Sequence, residues 1–257
     1  MAIRLSEAMS ALGGSLNRTA LADIAIANPG EGWVSLPHLA EYLVQEFRAA
    51  GGEVIEHAGR ACVLTADGRA TGVRSEHRGE FNADRILVAC GPWTPDVVAP
   101  LGVHIPNGSP VSMLVTCTPQ QKEVKVVMNM PRAAIRPNPG NTLAVDHDWY
   151  EEDIVEHTDG QYSIDEAVVG QLMAEAGHLV GDGRPLTAAS WKIGLKPIPG
   201  DGEPVAGELL RVPGCFVAFT HSGATLALIL GEILAEEMLC GTRHPMLATF
   251  RPERFHA

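Results

Sequence analysis

With 257 residues the chain has room for one large domain or two modest ones. Its 46% hydrophobic and 19% charged residues are the balance of a soluble globular protein, and no apolar run reaches the ~20 residues of a membrane-spanning helix. Nineteen Lys and Arg against 31 Asp and Glu give a net charge of −12, which argues against nucleic acid or an anionic membrane as the main partner.

The first 20 residues lack the apolar stretch of a signal peptide. Cys62, Cys90, Cys117, Cys215 and Cys240 are scattered, odd in number and without CxxC spacing. They read as reduced core thiols of a cytoplasmic protein, with no structural zinc site.

In chain order, Leu5 to Leu12 reads as a short helix and Asn28 to Gly32 as a loop. Gly30-x-Gly32 is half of a dinucleotide fingerprint, but no strand precedes it, so it is not read as a phosphate loop. Ser35 is a good N-cap and Pro37 suits a first helical turn; Leu36, Leu39, Leu43 and Phe47 then line one helix face until Gly51-Gly52. Glu53 to His57 reads as a strand. Ala61 to Thr65 and Ala70 to Ser75 flank Asp67-Gly68, a strong hairpin signal. Arg85 to Ala89 reads as a buried strand running into the turn Cys90-Gly91-Pro92-Trp93.

From about Val103 prolines punctuate strand-like runs: Val111 to Cys117, Glu123 to Met130 and Thr142 to Val145. This texture suggests an antiparallel sheet inserted between two halves of an α/β domain. Ile164 to Val180 reads as a helix, and Trp191 to Lys196 leads into the turn Pro199-Gly200-Asp201-Gly202. The acidic, aromatic run from Asp146 to Asp153 matches no calcium loop and reads as a solvated loop in which Trp149 or Tyr150 could cap a pocket.

The rest is organised around Cys215 to Leu239, a strand, a tight turn and a helix. Leu226, Ile229, Leu230, Ile233 and Leu234 share one helix face, with Glu232, Glu236 and Glu237 expected towards water. A helix that opens directly after a strand leaves unpaired N–H groups at a crevice, and these favour an anion or developing negative charge. A plain strand–helix packing unit fits the same pattern.

Five segments in this order carry a family resemblance: WVSLPHL, ACVLTADGRATGV, ADRILVACGPWT, GLKPIPGDGEPVAG and FVAFTHSGATLALILGEILAE. Together they resemble the FAD-dependent D-amino-acid oxidase, glycine oxidase and sarcosine oxidase family, from roughly Gly32 to Leu239. The family opens with a strand, a GxGxxG turn and a helix that hold the FAD pyrophosphate, and no such motif stands in this sequence. The resemblance implies a mixed α/β fold: an FAD-binding-type domain without its first βαβ unit, carrying an inserted antiparallel substrate domain. The expected boundaries are 1–105 and 185–257 for the FAD-binding-like part and 106–184 for the insert. A fold without the first unit would leave a sheet edge and an apolar face uncovered.

The resemblance also implies FAD as cofactor and oxidation of the CH–NH bond of an amine or amino acid, with a hydride passing to flavin N5. Other chains enter only as a supplier of the dinucleotide-binding unit. The rival expectation is a non-catalytic remnant or binding subunit that does not hold FAD alone. By resemblance, His221, Ser222, Gly223, Ala224 and Thr225 line the flavin ring. Gly91 lets backbone approach the cofactor, and Trp93 sits beside it or in the core. Val63 meets the adenine through its backbone or is a core valine. By resemblance, Lys196 stands where the family's G-x-R-P motif carries an arginine for the substrate carboxylate, keeping the charge but not the planar fork, or it is a solvated surface lysine. Arg136 is a second candidate for an anionic group, or a charge on a sheet edge.

Overall fold

The structure, a computed structural model, describes residues 2–4, 24–26, 28, 30, 32–180 and 183–255. The helix expected over Leu5 to Leu12 lies outside them. Two compact units divide the described chain: one takes the residues up to Leu39 and Val111 to Gly194, the other takes Ala40 to Pro110 and Leu195 onward.

Strands β1 (Ala2–Arg4) and β2 (Ile24–Ile26) pair antiparallel. Helix α1 (Leu36–Ala49) ends in a Schellman arrangement: Gly51 has φ +90°, its N–H donates to Arg48 O, and Gly52 N–H donates to Phe47 O. Among the described residues of α1 none is buried, and Tyr42 and Phe47 are more than half exposed. The segment Glu53 to His57 is not a strand: it pairs with no described strand, and His57 turns to φ +54°.

The hairpin of β3 (Ala61–Ala66) and β4 (Arg69–Ser75) closes through Asp67 (φ +49°) and Gly68 (φ +75°), the two positive φ values of a type I′ turn. A third strand, β5 (Gly79–Asn82), extends this sheet beyond the sequence expectation. Strand β6 (Ile86–Val88) follows, then the 3-10 turn Gly91–Trp93 and helix α2 (Thr94–Val98).

The next sheet has the order β13 (Ala188–Leu195), β7 (Val111–Cys117), β10 (Thr142–Asp146), β9 (Ala134–Asn138), β8 (Met128–Asn129). The β7–β10, β10–β9 and β9–β8 pairs are antiparallel. Only Met128–Asn129 of the expected Glu123-to-Met130 strand pairs, whereas β9, which contains Pro137, joins the sheet. A minor pair, β11 (Val155–Glu156) and β12 (Tyr162–Ser163), precedes helix α3 (Glu166–Leu179), which Asp165 caps by accepting from Ala167 N–H at 2.8 Å. Met113, Val115, Ile135, Leu143 and Val145 alternate onto one sheet face and form a core with Leu172, Met173 and Ala176 of α3.

The chain returns through β14 (Val205–Glu208), β15 (Cys215–Phe219) and helix α4 (Gly223–Cys240). The sheet order is β14-β15-β6, with β14 antiparallel and β6 parallel to β15. Cys215, Val217 and Phe219 join a core with Ile86, Val88, Val98 and, on the hairpin, Ala70. Phe216 and Ala206 face the other way, onto Leu230, Ile233 and Leu234 of α4. The result is three layers: hairpin sheet with α2, central sheet, α4.

Glu237 departs from the expectation. It is 3% exposed and takes a bidentate pair from Arg251, with Nη1 donating at 2.8 Å and Nη2 at 2.5 Å. Because the chain after α4 folds back over the helix, the His244 N–H and the Arg251 guanidinium reach this carboxylate. Glu232 and Glu236 are exposed as expected, and apolar residues share the outward side of α4 with them: Leu228 is 57% exposed, Ile229 40% and Leu239 79%.

The cysteines also depart from the expectation. Cys117 and Cys215 are buried, while Cys62 on β3, Cys90 in its turn and Cys240 at the end of α4 are exposed. Burial pushes the Cys117 thiol up to about 12 and Cys215 to about 11.

Candidate functional site at the carboxyl ends of β6 and β15

The β6–β15 register pairs Ile86 with Cys215, Leu87 with Phe216 and Val88 with Val217. Both strands run the same way, so both leave the sheet at the same edge. β6 empties into Gly91–Trp93 and β15 into Thr220 to Ser222, and the Gly91 turn touches β15. A crevice outside the carboxyl ends of parallel strands is where open α/β sheets bind ligands.

On the β15 side, Ser222 precedes α4 without making a side-chain cap bond. Thr225 and Leu226 N–H groups donate to Ser222 O, while Gly223 and Ala224, first in the helix, have no intrahelical acceptor. His221, Ser222, Ala224 and Thr225 are exposed, and a Cβ on Gly223 would meet nothing within 4 Å. Two donors, the helix dipole and open space meet at one point.

On the β6 side, Gly91 has φ +57°, and a Cβ there would also meet nothing within 4 Å, so its backbone conformation is what requires glycine. Trp93 is 59% exposed and is not a core aromatic. Cys90 N–H donates to Thr94 Oγ1 at 3.0 Å.

Sequence reading passed over Asn107, which locks this turn in place. Its Nδ2 donates to Pro92 O at 2.8 Å, its Oδ1 accepts from Ser109 N–H, and its backbone bridges to Pro199. Gly108 N–H donates to Ile198 O and Ile198 N–H to Ser109 Oγ. The signal was the Asn-Gly-Ser-Pro turn at 107–110. Lys196, whose N–H donates to Pro110 O, is half-buried at the head of this strap. Val63 on β3 packs its side chain against the core, and β3 lies at an edge of the hairpin sheet among the described strands, which leaves one side of its backbone unpaired.

Tyr150 cannot cap a pocket. It is fully buried, donates to Met113 O at 2.6 Å and accepts from His147 N–H, and burial raises its pKa. Trp149 is tied by Nε1 to Arg132 O and lies under the Arg132 guanidinium at 4.2 Å. Arg136 is half-buried on β9, which lies between β10 and β8, so it is not on an edge strand. Among the described residues no group of three or more His, Cys, Asp or Glu could hold a metal ion. A cleft of about 370 Å³ lies at the opposite, amino end of β6 and β15, lined by Arg69, Asp84, Arg85, Glu208 and Arg243. Arg243 pairs with Glu253 and Glu208 accepts from Gly214 N–H, while Arg69, Asp84 and Arg85 have no side-chain partner among the described residues.

The family model for FAD dependent oxidoreductases (DAO) matches residues 6–237. The chain belongs to this family. Among curated relatives, a D-amino acid dehydrogenase of Cereibacter sphaeroides is 27% identical over 66% of the chain and 38% of its own length. A glycine oxidase of Geobacillus kaustophilus is 28% identical over 81% of the chain and 54% of its own length. One of the subunits of an opine oxidase of Agrobacterium tumefaciens is 37% identical over 26% of the chain and 18% of its own length. The chain thus spans about half or less of the curated relatives it matches. The structure of an L-proline dehydrogenase from P. horikoshii superposes with a TM-score of 0.80 at 15% identity, covering 100% of this chain and 68% of that one, which establishes the fold. No described helix is long and apolar enough to cross a membrane.

FAD is the family's cofactor. The residues of the crevice fit its ring end: two unpaired N–H donors at α4, glycines at 91 and 223 with open space beside them, and an exposed Trp93. Among the described residues no glycine-rich turn joins a strand to a helix in the way that would hold a pyrophosphate.

Proposed function

We propose that this chain forms the flavin-ring and substrate part of an FAD-dependent oxidoreductase that oxidises the CH–NH bond of an amino acid or related amine. The observation that supports it most is the shared exit of β6 and β15 onto the bare amino end of α4. FAD, when bound, supplies the acceptor for the hydride that leaves the carbon next to the amine. The chain's own part is electrostatic and positional. The N–H groups of Gly223 and Ala224, with the α4 dipole, stabilise negative charge gathering at the ring end. The Asn107 strap holds the Gly91 turn at a fixed height beside them. Lys196 offers a point charge to the substrate. D-amino acid dehydrogenase and glycine oxidase, both relatives, are named for substrates that carry an amine beside a carboxylate. Five unbridged cysteines support a reducing, cytoplasmic setting.

The pyrophosphate end is proposed to come from a βαβ unit outside the described residues, on the same polypeptide or a partner chain. Two surfaces support this. Among the described strands β6 is an edge strand parallel to β15, with Leu87 41% exposed, and parallel sheets are normally covered and continued. Helix α4 leaves Leu228, Ile229 and Leu239 exposed on its outer side, among Glu232 and Glu236. The opine oxidase relative, itself named as a subunit, points the same way.

Titration with FAD, followed by flavin fluorescence, tests both parts. The isolated chain is expected to bind weakly or not at all, and addition of the βαβ unit to restore binding. Stoichiometric binding by the chain alone, at a dissociation constant of about nanomolar to low micromolar, would remove the need for the unit. A colourless protein in both states would leave a non-catalytic remnant as the reading.

A further inference from the structure

The Gly91 turn is held from outside by Asn107, and Asn107 is itself held by the segment 198–200. Gly108 N–H donates to Ile198 O at 2.9 Å, Gly200 N–H donates to Pro106 O at 2.8 Å, and Asn107 bridges to Pro199. The two backbones touch. A Cβ on Gly200 would collide with Pro106, and one on Gly108 would lie 3.3 Å from Gly200 Cα. With no side chains between them to absorb a shift, a displacement of 199–200 passes to Pro106 and Asn107. All these residues belong to the unit that holds Ala40 to Pro110 and Leu195 onward.

A side chain from beyond α4 fixes the turn at 199–202. Gly202 N–H donates to Pro199 O, closing the turn, and Asp201 Oδ1 accepts from Glu203 N–H at 3.1 Å. Arg254 grips the Asp201 carboxylate in a fork, Nε donating to Oδ2 at 2.7 Å and Nη2 to Oδ1 at 3.0 Å. The same guanidinium donates to Glu203 O at 3.0 Å and to Arg251 O at 3.3 Å. A solvated surface ion pair contributes little. Here the Arg254 side chain is 21% exposed, two carbonyls share it, and the fork fixes direction as well as distance. Arg254 N–H also donates to Arg251 O, and Arg251 is clamped to Glu237 of α4. The short turn Pro252–Phe255 thus joins α4 to the 199–202 turn. Helix α4 and the Gly91 turn are the two sides of the crevice.

We infer that Asp201 and Arg254 are a positioning pair for the crevice: by holding the 199–202 turn they set, through Asn107, the place of the Gly91 turn beside the amino end of α4. Both act through Asn107 and not on the reacting groups. That flavin fills the crevice rests on the oxidoreductase reading. The tie between Arg254 and the Gly91 turn stands on the hydrogen bonds alone.

The test is amide hydrogen exchange on the purified chain, read by mass spectrometry well below its melting temperature. Arg254→Met should speed exchange across residues 90–98 by at least about fivefold, as loss of the charge-assisted fork eases local opening. Residues 142–146, in the other unit, should exchange as in wild type. Asp201→Asn keeps an acceptor for Glu203 N–H and weakens only the fork, so it should act in the same direction with less effect, and it carries the test if Arg254→Met does not fold. Arg254→Lys should recover part of the protection. Arg74→Met breaks the Arg74–Glu80 pair of the same unit and should leave 90–98 unchanged. In fluorine NMR of fluorotryptophan-labelled chain, the Trp93 resonance should move in Arg254→Met and return towards wild type in Arg254→Lys. Unchanged exchange across 90–98 in the folded variants, or an equal rise across 142–146, would overturn the positioning pair. In the FAD-loaded protein, Arg254→Met should also shift the visible flavin band. A loosened turn beside an unmoved band would leave the pair standing and take the flavin out of the crevice.

Discussion

Replacing Arg251 by methionine removes one half of a buried ion pair and strands the other. Glu237 and Arg251 are 3% and 6% exposed and share two hydrogen bonds of 2.8 and 2.5 Å, and Arg251 Nη2 also donates to His244 O at 3.1 Å. Breaking such a pair from one side costs about 3–5 kcal/mol, since a charge is left buried and unanswered. At roughly 2–4 °C per kcal/mol for a protein of this size, the melting temperature should fall by roughly 6–20 °C. Glu237→Leu should do much the same. The double variant Glu237→Leu with Arg251→Met should be far less affected than the sum of the two, because no charge is left behind. Burial tends to raise the Glu237 pKa, but the Arg251 hydrogen bonds, the His244 N–H and the nearby arginine charges outweigh it and hold it below the usual carboxylate range. A depressed native pKa stabilises fully above the unfolded value of about 4.3 and is lost as pH falls through the native one. The wild type should therefore lose stability on acidification below that point, and the double variant should lose this part of the pH slope. Thermal melts by circular dichroism across a pH series would decide it. Single variants that melt within a degree of wild type, or a double variant showing the full sum, would refute the clamp.

Gly223→Asp should reduce flavin retention in the FAD-loaded protein by placing a carboxylate at the amino end of α4, while Gly223→Ala should fold normally because its Cβ has open space; flavin absorbance after gel filtration reads both. Gly68→Ala should cost about 1 kcal/mol or more in a thermal melt, because φ there is +75°.

The periodic segments were legible because their burial is decided locally. Asp67-Gly68 demands a type I′ turn wherever it stands between β-prone runs, and the apolar strand Cys215–Phe219 had to be interior. The turn residues Gly91 and Gly223 were legible for the same reason, since each marks a backbone requirement at a strand's end. Strand β9 was not legible. Pro137 argues against a strand, and only pairing with Leu143 across the hairpin makes one. Tyr150 looked like a solvated loop residue because its neighbours from Asp146 to Asp153 are polar or aromatic, and its burial depends on a carbonyl 37 positions away.

Glu237 shows where the limit lies. On the helix wheel it stands over Ile233 and Leu234, on the face that packs inward and away from Glu232 and Glu236, yet nothing within α4 answers its charge. What sets it apart is Arg251, which reaches it only because the chain beyond the helix turns back, and because Gly207 on β14 leaves room: a Cβ at Gly207 would collide with Arg251 Nη1. Three residues from three elements define one interaction, and each alone has an ordinary reading.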